Sequence, residues 1–382
     1  MAVPLTILTD YRGFFYSSTR HKDVGMDVPA LVAALAARGI EADVRPAAGL
    51  DLRRENFAGR LVIAQSSEDR HLHYKSFLED LLLALQLQGA TLVPRFELYR
   101  AHHDKVFMEL LRDVLPAPAL KAPRGRVFGT YEDFLRAGWS EYPAVFKPSA
   151  GFQAHGVRLA RDEREGRRAA RAVGRTAHFV DDLKDVVKRW VRPWHVARSR
   201  RRGKFVVQPF LPGLAGDWKL LVYDEKIFAL RRGNRPGDFR ASGSGRFSFV
   251  EDVPRPLLDA ARAAFEALDT PFLSLDMALS PEGAADESAP AGEARGEASR
   301  AGEARGEASR VGGVAQVFEF QCVCFGTYTL ENAPFWFERE GGEWVVRRGR
   351  AQLEDEVAAA LAAYLARHAF PPPNEAPAQR CP

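Results

Sequence analysis

Several short segments carry side chains suited to nucleotide chemistry. In Val145-Phe146-Lys147-Pro148 an apolar run ends in a lysine, and a small-residue loop follows from Ser149 through Gly151 to Gly156. A lysine at a strand end can reach a triphosphate, and glycines let loop amides approach its oxygens closely. Phe205-Val206-Val207-Gln208-Pro209-Phe210 is an apolar strand that runs into a polar kink. Such a kink offers a purine a backbone donor and acceptor for its edge and apolar walls for its faces. Asp276 lies in Ser274-Leu275-Asp276, and Glu319 and Gln321 lie in Val317-Phe318-Glu319-Phe320-Gln321. Residues two apart on a strand share a face, and acids amid apolar residues are costly unless paired or metal-bound. Oxygens from Asp276, Glu319 and the Gln321 amide would suit Mg²⁺ bridging nucleotide phosphates; pairing of Glu319 with an arginine is the alternative. Between these segments come Asp217-Trp218-Lys219, Arg231-Arg232, and the loop Gly237-Asp238-Phe239-Arg240-Ala241-Ser242-Gly243. Guanidinium groups beside a flexible loop suit a carboxylate or a phosphoryl group in transfer.

The elements that must position these groups follow from composition and periodicity. The chain has 382 residues, a formal charge of +4, 46% hydrophobic and 10% aromatic residues. That composition supports packed cores and excludes both a disordered chain and a polycation. The length allows two or three domains of roughly 100–200 residues. Three cysteines, Cys322, Cys324 and Cys381, are too few for a disulfide framework, so a reducing compartment is expected. Cys322 and Cys324 read as one core-facing and one loop-facing residue rather than a thiolate pair. Met1–Asp10 has no secretory-signal pattern, so the cytoplasm is the expected location. No stretch reaches the ~20 apolar residues of a membrane span.

Strands are expected at Pro4–Thr9, Leu61–Ala64 and Thr91–Val93, alternating with helices at Pro29–Arg38 and Leu72–Gln88. This alternation predicts a parallel sheet. A helix over Ala101–Leu115 follows, with a domain boundary near Tyr99. From Ala144 the pattern is strand, glycine loop, strand, then helices over Arg164–Val173 and Asp181–Trp190. Beyond these come a strand from Phe205, a hairpin at Trp218–Tyr223 and Lys226–Leu230, a helix over Arg255–Leu268, strands at Phe272–Leu279 and Val314–Phe320, and a closing helix over Glu354–His368.

Two stretches stand apart. AGEARGEASR at residues 291–300 recurs unchanged at 301–310, and nothing from Pro281 to Arg310 is bulky and apolar. This reads as a tandem duplication in a solvated, disordered loop. Arg158–Lys204 holds 16 Lys+Arg against 6 Asp+Glu. It reads as the solvated face of two helices; contact with RNA or an acidic protein is the other reading, although no nucleic-acid motif accompanies it.

Taken in order, the segments resemble the ATP-grasp superfamily from about Ala101 to Phe337, and the Gly237–Gly245 loop is closest to the branch of ribosomal-protein glutamate ligases and related amino-acid ligases. Glutathione synthetase and D-alanine ligases are similar more distantly. The resemblance implies an α/β (α+β) ATP-grasp fold of two α+β lobes, residues 100–204 and 205–370 with 281–310 inserted. A small parallel-sheet domain, 1–99, would precede them, and 371–382 would be a disordered tail. It implies a carboxylate–amine ligase acting through an acylphosphate, with ATP and Mg²⁺ as cofactors and small-molecule or peptide carboxylates and amines as partners. Lys105, Lys147 and Gly151 would then face ATP phosphates, with Gln208, Pro209 and Phe210 as the adenine hinge. Asp217 also falls in the nucleotide site. Arg232, Arg240, Lys219 and Ser242 would be catalytic, and Asp276, Glu319 and Gln321 would hold the metal. The chain departs from the family pattern at Pro209, where an acid is usual, at Lys219 in place of Arg, and at Ser242 and Gln321 in place of Asn. Two readings other than a ligase are a nucleotide-binding protein without turnover and a basic interaction module.

Overall fold

The computed structural model describes residues 3–16, 25–65, 72–151, 156–176, 179–192, 194–235, 237–241, 243–281 and 313–368. The segment 282–312, the tail from 369, residues 152–155 and Ser242 lie outside the described residues, so the expectations for them are not addressed.

The first unit alternates β1 (Val3–Thr9), α1 (Val28–Ala36), β2 (Ile40–Pro46), β3 (Leu61–Ala64), α2 (His73–Leu87) and β4 (Thr91–Val93). Its sheet is wholly parallel, in the order β2-β1-β3-β4. Asp27 caps α1 by accepting from the Ala30 N–H, with a proline in the first turn, a favourable helix start. β2 is absent from the sequence expectation; it is an edge strand and exposes most of its residues.

The expected single helix over Ala101–Leu115 is two, α3 (Phe96–Ala101) and α4 (Lys105–Val114). The break falls at Asp104, whose carboxylate accepts from the Phe107 N–H at 3.0 Å and so starts a new helix. The boundary expected near Tyr99 lies inside α3.

A second sheet is formed by β5 (Arg126–Phe128), β6 (Ala144–Pro148), β7 (Arg158–Ala160) and β8 (Phe205–Pro209), in the order β5-β8-β6-β7 and fully antiparallel. Helices α5 (Tyr131–Ala137), α6 (Glu163–Val173) and α7 (Phe179–Val191) belong to the same lobe. Phe128, Phe134, Phe146 and Phe205 make its core, with ring centroids 5.3–6.3 Å apart.

The third sheet holds β9 (Gly216–Tyr223), β10 (Lys226–Gly233), β11 (Phe247–Ser248), β12 (Phe272–Pro281), β13 (Gly313–Gln321), β14 (Phe335–Glu340) and β15 (Glu343–Arg348). Its order is β13-β12-β9-β10-β14-β15, with β11 beside β10. Helix α8 (Arg255–Leu268) covers it with Leu257, Leu258, Ala261, Phe265 and Leu268, all buried, each large apolar side chain contributing about 1.5–3 kcal/mol by burial. A short α9 (Tyr328–Asn332) follows β13, and α10 (Leu353–Arg367) is the last element among the described residues. Helix α10 does not stay with the last lobe. Its Val357 and Leu361 share one core with Leu31 and Leu35 of α1 and with Leu221 and Phe228 of β9 and β10.

Candidate functional site

Three strands of the third sheet place the charged groups in a row. The register pairs Lys219 of β9 with Asp276 of β12, and Asp276 with Glu319 of β13. Residues directly opposite on antiparallel strands point to one face. Gln321 lies two residues beyond Glu319 on that face, and Asp217 two before Lys219, opposite Arg232 of β10. The alternating strand periodicity therefore gathers Arg232, Asp217, Lys219, Asp276, Glu319 and Gln321 on one surface.

Arg232 and Asp217 form a forked pair, Nε to Oδ1 at 2.6 Å and a terminal nitrogen to Oδ2 at 2.9 Å. The same guanidinium lies 3.1 Å from Asp276 Oδ2, while Lys219 Nζ lies 2.9 Å from Asp276 Oδ1. Burial pushes the Asp276 carboxyl up, but Arg232 and Lys219 outweigh it and hold it well below the usual range. Asp217 goes the other way, raised by burial against the pull of Arg232. Burial lowers Lys219 despite Asp276. Gly326 (φ +68°) allows Lys219 this position, since a Cβ there would sit 2.5 Å from Lys219 Cε.

The facing lobe contributes two more lysines. Lys147, at the end of β6, and Lys105, first residue of α4, approach the two oxygens of Glu319 at 3.7 and 3.8 Å. These separations exceed hydrogen-bonding distance, so Glu319 is neutralised without being tied. Lys105 Nζ also donates to the Gly151 carbonyl at 2.8 Å, and the Lys105 N–H to the Ser149 carbonyl at 2.9 Å, which fastens the loop after β6 to the start of α4. Burial lowers the Lys147 pKa, against the attraction of Glu319 and Glu109. The alternative for Glu319, pairing with an arginine, is not what the structure has; two lysines stand there instead.

Between the lobes lies a cavity of about 600 Å³ lined by Lys105, Lys147, Arg232, Arg240, Asp276 and Glu319, with Gln208–Leu211 also in its wall. Of the expected hinge, Pro209 has no N–H, and the Phe210 N–H donates to the Pro143 carbonyl at 2.9 Å. The next backbone donor in the wall is Leu211. Arg240 forms a forked pair with Asp238, at 2.9 and 2.6 Å to Oδ2. Phe239, Tyr16, His102 and Tyr328 also line the cavity and were not singled out from sequence.

Two further charged residues behind the site escaped the sequence reading. Arg112 of α4 is buried and donates to the carbonyls of Val317 and Phe318, at 2.6 and 3.2 Å. There the pairing of β12 with β13 slips, so that Phe318 is an extra residue between Glu319 and Val317, a β-bulge. Glu109 lies 3.4 Å from Arg112 and accepts from the Gln208 side chain at 2.8 Å. Lys105, Glu109 and Arg112 fall at i, i+4 and i+7, one face of α4; this spacing was the available signal.

Cys322 and Cys324 are both buried, which corrects the expectation that one faces a loop, and burial pushes each thiol up to about 12. Among the described residues no cluster of three His, Cys, Asp or Glu could hold a metal, and no helix is long and apolar enough to cross a membrane.

No family model matches the sequence, and no curated protein sequence is similar to it. Similar solved structures exist. D-cycloserine synthetase DcsG is 15% identical, with 95% of this chain and 99% of that one aligned and a TM-score of 0.50. A RimK domain protein from Sphaerobacter thermophilus is 17% identical, with 95% and 99% aligned and a TM-score of 0.46. The ATP-grasp ligase PsnB, solved with a precursor peptide and AMPPNP, is 13% identical over 95% and 98%, with a TM-score of 0.47. The chain has the ATP-grasp fold.

Proposed function

We propose that the protein is an ATP-dependent ligase joining a carboxylate to an amine through an acylphosphate. The observation that carries this reading is the convergence of Lys105 and Lys147 from one lobe on Glu319 of the other, inside the interlobe cavity and next to the Lys219–Asp276 row. Lysines whose nearest carboxylate among the described residues is held beyond hydrogen-bonding distance are poised to take phosphate oxygens instead. Gln208–Leu211 would receive the adenine, with the Leu211 N–H as donor.

The donor set fits Mg²⁺. Asp276, Glu319 and Gln321 present hard oxygens from adjacent strands; among the described residues Glu319 has no close hydrogen bond, and Gln321 Oε1 has only Lys219 Nζ at 3.5 Å. Two carboxylates leave the remaining positions to phosphate and water. When bound, the ion would neutralise charge on the transferring phosphoryl group.

In the proposed reaction a substrate carboxylate oxygen attacks the γ-phosphorus and the bond to the β-bridging oxygen breaks, giving acylphosphate and ADP. The amine nitrogen then attacks the acyl carbon, inorganic phosphate leaves, and the nitrogen loses a proton. Catalysis of phosphoryl transfer is largely positioning and charge stabilisation. Lys105 and Lys147 would hold the phosphates, and Arg240, at the cavity wall, would exchange Asp238 for the substrate carboxylate or the phosphoryl group. Arg232 and Lys219 would fix Asp276. Ser242 completes the proposed substrate loop.

A nucleotide-binding protein without turnover is the second reading, favoured by the engagement of both Asp276 oxygens by cations. Thermal unfolding with Mg-ATP tests nucleotide binding: at ~100 times Kd the protein is expected to gain about 2.7 kcal/mol, and Lys147→Ala to lose the gain. No shift with the wild-type protein would sink both readings. Release of ADP and phosphate on adding a carboxylate and an amine selects the ligase; binding without release across an amino-acid panel selects the silent protein.

A further inference from the structure

Helix α7 is turned inside out. Leu183, Val186, Val187, Trp190 and Val191 recur at i, i+3, i+4, i+7 and i+8, the stripe that normally faces a core, and Trp194 follows just beyond the end of the helix. Here all six are exposed, Trp190 by 89% and Trp194 by 79%. The polar side faces the returning chain instead. Asp182 pairs with Arg200 at 3.3 Å, and Asp185 lies 3.3 Å from His195 and accepts from the Arg198 N–H at 3.0 Å. The solvated face expected for this basic stretch is thus the apolar one. Beside it Lys184, Arg189 and Arg192 are exposed and have no ion pair among the described residues. The outward surface presents apolar and cationic groups, while these two acids are spent inward.

We propose that this face docks the protein on an anionic lipid bilayer. A helix with tryptophans and aliphatic residues on one side and lysine or arginine along its flanks lies in a membrane interface, apolar side down. The other occupants fit less well. A second copy meeting this one through the same face would set Lys184, Arg189 and Arg192 against their own equivalents. Residues 282–310 of the chain contain no bulky apolar side chain to cover the stripe. A helical peptide needs a groove, and the interlobe cavity is lined by other residues. A bilayer requires no concavity. The inference stands whether or not the protein is a ligase.

The full-length protein should float with phosphatidylcholine vesicles containing phosphatidylglycerol and should bind pure phosphatidylcholine at least about tenfold more weakly, since each lysine or arginine near an anionic surface adds affinity. High salt should weaken the binding. Brominated lipids should quench tryptophan emission, and Trp190→Phe/Trp194→Phe should remove that quenching. Val187→Asp and the Lys184→Glu/Arg189→Glu/Arg192→Glu variant should each lower vesicle binding about tenfold or more; both alter exposed positions, and unchanged circular dichroism would confirm their folding. Absence of flotation with anionic vesicles at low salt would overturn the proposal. So would binding unaffected by these variants, a dimer in ultracentrifugation that Val187→Asp dissociates, or tight binding of an acidic peptide with none to vesicles.

Discussion

Replacing Arg232 by methionine tests the electrostatic reading of the site most directly. Its guanidinium holds Asp217 through two hydrogen bonds of 2.6 and 2.9 Å and stands 3.1 Å from Asp276. Without it two buried carboxylates share a pocket with Lys219 alone. Removing one partner of a buried ion pair costs about 3–5 kcal/mol, and at roughly 2–4 °C per kcal/mol the melting temperature should drop by roughly 6–20 °C. The pH dependence has a definite sign. Asp217 is already raised by burial, and losing Arg232 raises it further, so stability falls as pH rises from the unfolded value near ~4 through the new folded value. In the wild-type protein Asp276 is depressed, so its contribution is present above ~4 and lost as pH falls through the folded value. The Asp217 effect widens the gap between the proteins as pH rises above ~4, and the Asp276 effect narrows it only as pH falls below ~4. Urea unfolding at several pH values, followed by tryptophan emission, measures it, with Arg232→Met/Asp217→Leu as the compensating variant. A loss below about 1 kcal/mol at neutral pH, where a buried pair demands several, would refute the reasoning. A gap that does not vary with pH, or a double variant no more stable than the single one, would do the same.

Arg112→Met should cost about 3 kcal/mol, because Glu109 keeps a buried carboxyl without its cation, and adding Glu109→Gln should restore most of it; equal urea midpoints for wild type and single variant would contradict this. Iodoacetamide at pH 8 should leave Cys322 and Cys324 unlabelled in the native protein, since thiols near 12 are ionised there only to roughly one part in ten thousand; peptide mapping separates them from Cys381, and rapid native labelling of either would count against their burial. Deleting residues 301–310, one copy of the duplication between β12 and β13, should alter loop closure by less than about 0.6 kcal/mol. The melting temperature and the response to Mg-ATP should therefore stay as they are, and a clear fall in either would assign the repeat a role.

Elements with uninterrupted apolar runs between glycine or proline were legible in the sequence. Leu61–Ala64 and Thr91–Val93 are strands within those bounds, and α8 spans the expected Arg255–Leu268. Strands that alternate with charge were lost, as in β2 with Glu41, Asp43 and Arg45, and in β14 and the edge strand β15, whose polar residues are partly or fully exposed. The break between α3 and α4 leaves no trace in the periodicity; only the hydrogen bond accepted by Asp104 reveals it. Lys147, Asp276 and Glu319 stood out because each interrupts an apolar strand. Glu109 and Arg112 did not, since charges on a short helix are ordinary until the packing buries them. The stripe on α7 was readable as a pattern, but periodicity says that a face will be covered, not which way it points.

The contact of α10 with α1 carries a consequence for biosynthesis. Leu31 and Leu35 find part of their core in Val357 and Leu361, the Asp27 N–H donates to Glu354 at 3.0 Å, and Lys226 and Asp224 at the β9–β10 turn are tied to Glu356 and Arg367. The first sheet therefore waits on the ribosome, one flank bare, until Leu353–Arg367 has been made. Domains generally fold in order of emergence; here the parallel-sheet unit can be finished only by α10, which emerges after both lobes. A nascent chain of this protein has reason to need a holding chaperone over that interval, and a premature stop before Leu353 would damage the parallel-sheet unit as well as remove α10.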